Sequence, residues 1–493
     1  MSNVGNESPE PKSSWLVPVL VCMIGAFMST LNSSVINVAL SMIKTVFNAD
    51  LGTIQWVSTI YTLSLGVVIP LSGWMGKRVG LNRLYMAALV VFTLGSVLCA
   101  LSGNIYFLIA MRVVQACGGG MILPTGMAMI KRIVPRKQYG TAMGIYGIAM
   151  LMGPALGPTL GGYLVEYVNW RWIFTINFPI GVLGLICSSV ILPAFPRSSG
   201  ARLDVAGVVT SVPMLFCLLF ALSKGRDWGW SSERVVLLFY VSAVLFILFI
   251  ISELSSDDPL LELRLFHYRT FTMANLISIS IQIGLYSVVY YVPIFLQSLR
   301  GMGAMETGML MLPGALIAGL MMPVSGWIYD KTGPRIMALF GLLSLAATTY
   351  LFHTINMATS TGAITLWLVV RYFSMSFAQM PAQTASIESV PLEFASQASA
   401  LSNIISRVSS SFGLAVLTTV MNTRDAFHIA RLRESVVVNR LGVVPSLHRL
   451  WGIKGLVDQA AFVQSLDDIF LIASLVTLVS VLPAFFLKRR NAG

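Results

Sequence analysis

The chain has 493 residues, of which 56% are hydrophobic and only 11% charged, with a net charge of +12. A soluble protein carries about 25% charged residues to clothe its surface, so soluble enzymes, disordered scaffolds and secreted disulfide modules are excluded. An integral membrane protein remains, and its basic excess points to Lys- and Arg-rich loops at a lipid bilayer rather than to nucleic acid.

From the N-terminus, a polar leader (1–14) precedes fourteen apolar stretches of spanning length, roughly twenty residues each. They cover 15–41, 53–75, 84–102, 105–130, 140–165, 173–193, 205–222, 234–253, 270–298, 306–327, 336–355, 363–385, 397–421 and 467–487. The period-two alternation of a membrane barrel is absent, so the expected fold is an all-α bundle. Cys22, Cys99, Cys117, Cys187 and Cys217 lie within apolar runs and have no metal-ligand spacing. They read as packing residues, and neither a metal nor a cofactor is expected. The leader, the even-to-odd loops and the tail hold about three times the Lys and Arg of the opposite short loops, which predicts cytoplasmic termini.

Residues 70–83 (PLSGWMGKRVGLNR) are echoed at 323–335 (PVSGWIYDKTGPR). The spacing predicts two homologous six-helix halves, 15–204 and 269–487, separated by an inserted helical pair, 205–268. A cytoplasmic tail, 488–493, follows, and 422–466 forms a long extracytoplasmic loop within the second half. Parallel repeats around a central site are a transporter plan.

Several ordered motifs make the resemblance specific. Leu31-Asn32-Ser33-Ser34-Val35-Ile36-Asn37 closes the first helix, and Gln55-Trp56 with Tyr61 opens the second. The loop Gly73-Trp74-Met75-Gly76-Lys77-Arg78-Val79-Gly80 follows, then Arg112-Val113-Val114-Gln115, and then Gly153-Pro154-Ala155-Leu156-Gly157-Pro158. Asn169-Trp170-Arg171-Trp172 completes the set. The sequence resembles the major facilitator superfamily, and within it the fourteen-helix drug:proton antiporters of the EmrB/QacA type. That resemblance implies a bacterial cytoplasmic (inner) membrane and a major facilitator fold of two six-helix halves plus two inserted helices. It also implies multidrug efflux by alternating access.

Each motif has a physical reading too. Gly153, Gly157 and Gly161 share one helix face where backbones approach closely, and Pro154 and Pro158 bend that helix. This makes a kinked packing seam, and the resemblance adds that the seam lets the halves rock. The Gly73–Gly80 loop reads as an anchoring loop or as a gate. A gate requires a carboxylate to hold Lys77 or Arg78, and the second copy offers Asp330 with Arg335. A charge such as Arg112 in mid-helix costs about 2.5–3.5 kcal/mol, so it is expected to be paired or to face water. The expected pathway is Asn32, Asn37, Trp56, Tyr61, Arg112 and Gln115, with Tyr286, Tyr290 and Glu306 from the second half.

All 20 acids fall in loops or near helix ends, and Asn32 stands where the resemblance implies an aspartate. An amide does not titrate. Coupling has therefore moved to a helix-end acid such as Glu306 or Glu166, or the protein uses no proton, or Asn32 marks a coupling-impaired variant. The expected function is secondary export of amphipathic drugs or metabolites, with protons as the coupling ion. A dedicated exporter of one metabolite, lipid or antibiotic is the alternative. The chain is not expected to be an enzyme, since it lacks a convergent catalytic cluster and a phosphate-binding loop. The loop 422–466 is a candidate dock for a periplasmic adaptor or an amphipathic surface helix.

Overall fold

The computed structural model describes residues 15–197, 203–435 and 447–488. The leader, the tail beyond Lys488 and residues 436–446 lie outside the described residues. Among the described residues the chain is helical and contains no strand. The first group of helices is α1 (Leu16–Phe47), α2 (Leu51–Val79), α3 (Leu81–Ala100), α4 (Ile105–Ile133), α5 (Tyr139–Tyr163) and α6 (Asn177–Ile191). Then come α7 (Val205–Trp228) and α8 (Glu233–Ser255). The remainder is α9 (Arg269–Ile294), α10 (Ala304–Thr332), α11 (Pro334–Leu351), α12 (Thr361–Glu388), α13 (Ala395–Ser435) and α14 (Leu447–Val479).

Of these, 12 are long and apolar enough to cross a membrane, and α5 with the π-turn Leu164–Val168 makes a further span bent by 42°. The exception is α12, a 28-residue helix at the expected stretch 363–385. It carries Arg371, Gln379 and Gln383. A helix walled in by protein can be this polar, because its neighbours supply the hydrogen-bond partners that lipid lacks.

The expected loop 422–466 is largely helix instead. Helix α13 runs for 41 residues to Ser435, and α14 resumes at Leu447. Asp468 of α14 accepts from Arg424 Nε at 2.7 Å and faces His428 Nε2 at 2.8 Å, both on α13. Paired across two helices, these charges no longer end the helices, as a count of apolar residues predicts. The Val436–Val438 and Arg440 part of the expected surface helix lies outside the described residues.

The repeated motif occupies the same place twice, at the turn from α2 to α3 and from α10 to α11. Gly80 and Gly333 both take positive φ, 94° and 81°. Side chains rarely adopt that conformation, so each copy keeps a glycine.

Helices α5 and α10 meet with almost no side chain between them. A Cβ on Gly144 would lie 2.4 Å from the carbonyl oxygen of Met322, and one on Gly326 would lie 2.2 Å from that of Gly140. Near this same end, α2 meets α13, where Ser396 Oγ donates to Gly73 O at 3.2 Å. Toward their other ends α2 and α13 diverge around a cleft. The bundle is thus a V, closed at the end carrying the basic loops. We predict that Gly144→Val lowers the thermal unfolding temperature of the detergent-solubilised protein, by about 1–3 kcal/mol of overpacking. Gly162→Ala, on the same helix with nothing within 4 Å of its Cβ position, should leave it unchanged.

Candidate functional site

Arg112, Gln115, Asn32 and Tyr61 come together in a dry cluster, each 0–1% exposed. Arg112 donates through Nε to Val57 O at 3.0 Å and through Nη1 to Gln115 Oε1 at 2.7 Å. Its guanidinium lies 3.9 Å from the centre of the Tyr61 ring, a cation–π distance. Gln115 relays the contact. Its Nε2 donates to Ser96 Oγ at 2.6 Å and to Asn32 Oδ1 at 3.2 Å. Asn177 Nδ2 approaches the same Asn32 oxygen at 3.5 Å. The cation is therefore held by neutral oxygens and a ring face, with no carboxylate. Asn32 Nδ2 and Arg112 Nη2 are both buried without a hydrogen-bond partner among the described residues. Arg371 of α12 repeats the arrangement: fully buried, it donates to Gly284 O and, at 3.3 Å, to Thr349 Oγ1.

The Gly153, Gly157 and Gly161 face packs on α1. A Cβ at Gly153 would lie 2.2 Å from Thr30 Oγ1, and one at Gly157 would lie 2.4 Å from Ser34 Oγ. Thr30 and Ser34 bind the carbonyls of Ala149 and Pro154 at 2.9 and 3.1 Å. Pro154 is exposed and sits where the 42° bend begins; the side chain of Pro158 is outside the described ones. This seam joins α5 to α1 within the first six helices. The seam across the V uses the opposite face of α5, through Gly140 and Gly144.

Two helix termini complete the closed end. Asp330, at the end of α10, accepts from the backbone N–H groups of Gly140 and Thr141 at 2.7 and 2.8 Å and from Thr141 Oγ1 at 2.7 Å. These are the first residues of α5, so a carboxylate sits on a helix N-terminus, where the backbone dipole favours it. With opposite sign, Lys131 Nζ at the end of α4 donates to Ile387 O and, at 2.7 Å, to Val390 O at the C-terminus of α12. Lys77 pairs at 3.5 Å with Asp258 of the segment after α8, not with the second half. Both are partly exposed, so the pair contributes about 0–1 kcal/mol. Arg78 stacks on Trp74, and Arg335 lies over Phe485 rather than beside Asp330.

Two spaces lie within the bundle. A small cavity of about 30 Å³ is lined by Gln282, Gln379, Gln383 and Asn403 with serines of α9, α12 and α13. From the first half, Met127 and Met150 face it, with their sulfurs 3.4 Å from Asn403 Nδ2 and 3.6 Å from Gln383 Nε2. Apart from Ile281, the side chains that line it are polar and uncharged. The second is a cleft of about 380 Å³ between α2, α7, α9 and α13 at the open end. Tyr290 lines it, and exposed Asn37 accepts at 3.1 Å from Ser58, which lines it too.

The family model for the Major Facilitator Superfamily matches residues 22–414. The chain belongs to the major facilitator superfamily. Among its relatives, an uncharacterized MFS-type transporter of Bacillus subtilis, YhcA, is 35% identical over 84% of this chain and 78% of that protein. A multidrug resistance protein B homolog of Mycobacterium tuberculosis is 30% identical over 96% of this chain and 90% of its own. A lincomycin resistance protein of Bacillus subtilis, LmrB, is 27% identical over 96% of both chains. The human organic anion transporter MFSD10 matches the fold with a TM-score of 0.60 at 13% identity, covering 96% of this chain and 100% of that one. The proton:xylose symporter XylE has a TM-score of 0.60 at 15% identity, over 94% of each chain.

Other expected pathway residues of this facilitator chain lie apart from the arginine cluster. Trp56 packs on Phe220 of α7 with ring centres 5.4 Å apart, and Tyr286 is half-buried against the core. Glu306 is exposed in the first turn of α10, and Glu166 is exposed in the π-turn after α5. The sequence reading missed the amides of the small cavity, because it searched the spans for charged groups and these are neutral. It also missed Lys131, which looked like one more loop lysine.

Arg112 has no carboxylate partner among the described residues, so Arg112→Met removes a buried charge and leaves only the neutral oxygens of Val57 and Gln115 without a donor, a cost of about 1–3 kcal/mol. Arg112→Met is therefore expected to unfold within a few degrees of the unsubstituted protein while losing transport. Thermal unfolding and uptake into proteoliposomes test this, and a collapse of folding would make Arg112 a structural residue instead.

Proposed function

We propose that the protein is a secondary exporter of amphipathic compounds that works by alternating access in the bacterial cytoplasmic membrane, with protons moving in antiport. The observation that carries this reading is the V itself, closed by Asp330 and Lys131 on helix termini and open around a cleft at its other end. With the basic end cytoplasmic, as the loop charges indicate, the conformation faces outward. Relatives named for multidrug and lincomycin resistance support amphipathic drugs as substrates.

Coupling does not run through Asn32. We assign it to Glu388, the last residue of α12, which is 9% exposed and accepts from Tyr329 Oη at 2.6 Å. It lies beside the Lys131 lock, so opening that end hydrates it. Alternate access of water to this carboxylate from the two sides is what a coupling site at the closed end requires. Glu306 and Glu166 are exposed in this conformation and lie away from that closed end. The unpartnered Asn32 Nδ2 and Arg112 Nη2 favour one second reading, that of a transporter impaired by an amide at a carboxylate position.

Efflux of a lipophilic dye from energised cells of an efflux-deficient host separates the two. Extrusion should collapse with a protonophore, and Glu388→Gln should lose that dependence. Absence of extrusion, regained on Asn32→Asp, would instead establish the impaired reading.

A further inference from the structure

The inserted pair supplies a wall of the outer cleft, and that wall carries charge. Helix α7 runs to Trp228, past the end at 222 that hydropathy sets, and so brings Lys224 into the structure rather than into a loop. Lys224 is 8% exposed. Near the end of a spanning helix a lysine ordinarily snorkels into water, and this one is instead held among protein groups. Its Nζ donates to Gln55 Oε1 of α2 at 3.0 Å and to Asp227 Oδ2 at 3.1 Å. An ammonium has three donors, so these partners hold the group in place and leave one for a ligand. Asp227 is turned outward, with 47% of its side chain exposed. Arg226 lines the same cleft and makes no ion pair among the described residues. Two cations against one carboxylate leave this wall positive, and no other charged residue lines the cleft. Leu63, Leu219, Leu222 and Leu414 supply apolar surface beside it. At about 380 Å³ the space suits a small drug-sized molecule.

We propose that the cleft is a binding site for amphipathic organic anions, with the anionic head on Lys224 and Arg226 of the inserted pair and the apolar body on the leucines. This inference rests on the exporter reading and specifies its substrate class. It gives the inserted helices a role in recognition that the repeated six-helix plan does not supply.

The test uses a matched pair of fluorescent probes, anilinonaphthalene sulfonate and phenylnaphthylamine, which differ by the sulfonate. Binding is measured on the full chain in lipid nanodiscs, with empty nanodiscs subtracted. The sulfonate should bind about tenfold more tightly than the neutral probe, as a charge-assisted hydrogen bond provides. Lys224→Gln should erase that preference while keeping the affinity for the neutral probe, which also shows that the variant is folded. Lys224→Arg should retain the preference. Equal binding of the two probes by the unsubstituted chain, or an undiminished preference in Lys224→Gln, would overturn the proposal. Efflux of both probes from cells separates this from the exporter reading. Extrusion of the neutral probe without an anion preference defeats the anion site alone. A preference erased by Lys224→Gln, with neither probe extruded, upholds the anion site and defeats the exporter.

Discussion

A carboxylate on a helix N-terminus holds the two arms of this molecule together. Asp330 reaches from α10 onto the first N–H groups of α5, just where Gly140 and Gly326 let the backbones touch. Glycine makes the approach possible and the carboxylate makes it favourable, because the N–H groups at a helix start have no partner within the helix. Lys131 does the converse at the C-terminus of α12. Buried Glu388, bonded to Tyr329, lies at the same closed end. Of the Asp330 and Lys131 contacts, all but the one to the Thr141 hydroxyl join a side chain to the backbone of the other arm, so they form and break with the arms as whole bodies.

Inside each arm the problem is a buried cation. Arg112 and Arg371 are both fully buried on the fourth helix of their six, and each is held by carbonyl, hydroxyl or amide oxygens. Such a site tolerates the charge without neutralising it. The first arm therefore contains a fixed positive potential with no proton acceptor beside it. Together with the positive wall at Lys224, this charge arrangement differs from the one that a first-helix carboxylate implies.

Much of the fold was legible because lipid imposes a ruler and a repeat repeats its turn. The apolar stretches placed nearly every helix, and the shared Pro-x-Ser-Gly-Trp run placed Gly80 and Gly333 at equivalent positive-φ turns. Reading failed where charges are satisfied by partners that a linear window does not see. Arg424 reads as a loop residue and Asp468 as a helix-end one, yet they pair between α13 and α14, and α12 looked like any other span although its amides line the inner cavity. The glycine motif of α5 was visible, but its face was not. Gly153 and Gly157 bind α1, and the less periodic Gly140 and Gly144 carry the seam between the arms. Arg112, Gln115 and Asn32, named together from the sequence, lie in contact in the structure, since a charge in mid-helix has few places to go.

The most direct test of the closure is a distance between the arms at the basic end. Spin labels at Lys137 and Arg335, both exposed there, report it by double electron–electron resonance in nanodiscs. With Asp330 intact the account predicts a distribution dominated by one short distance, and with Asp330→Asn a shift of population to longer distances. An unchanged distribution in Asp330→Asn would contradict the claim that this carboxylate holds the arms shut.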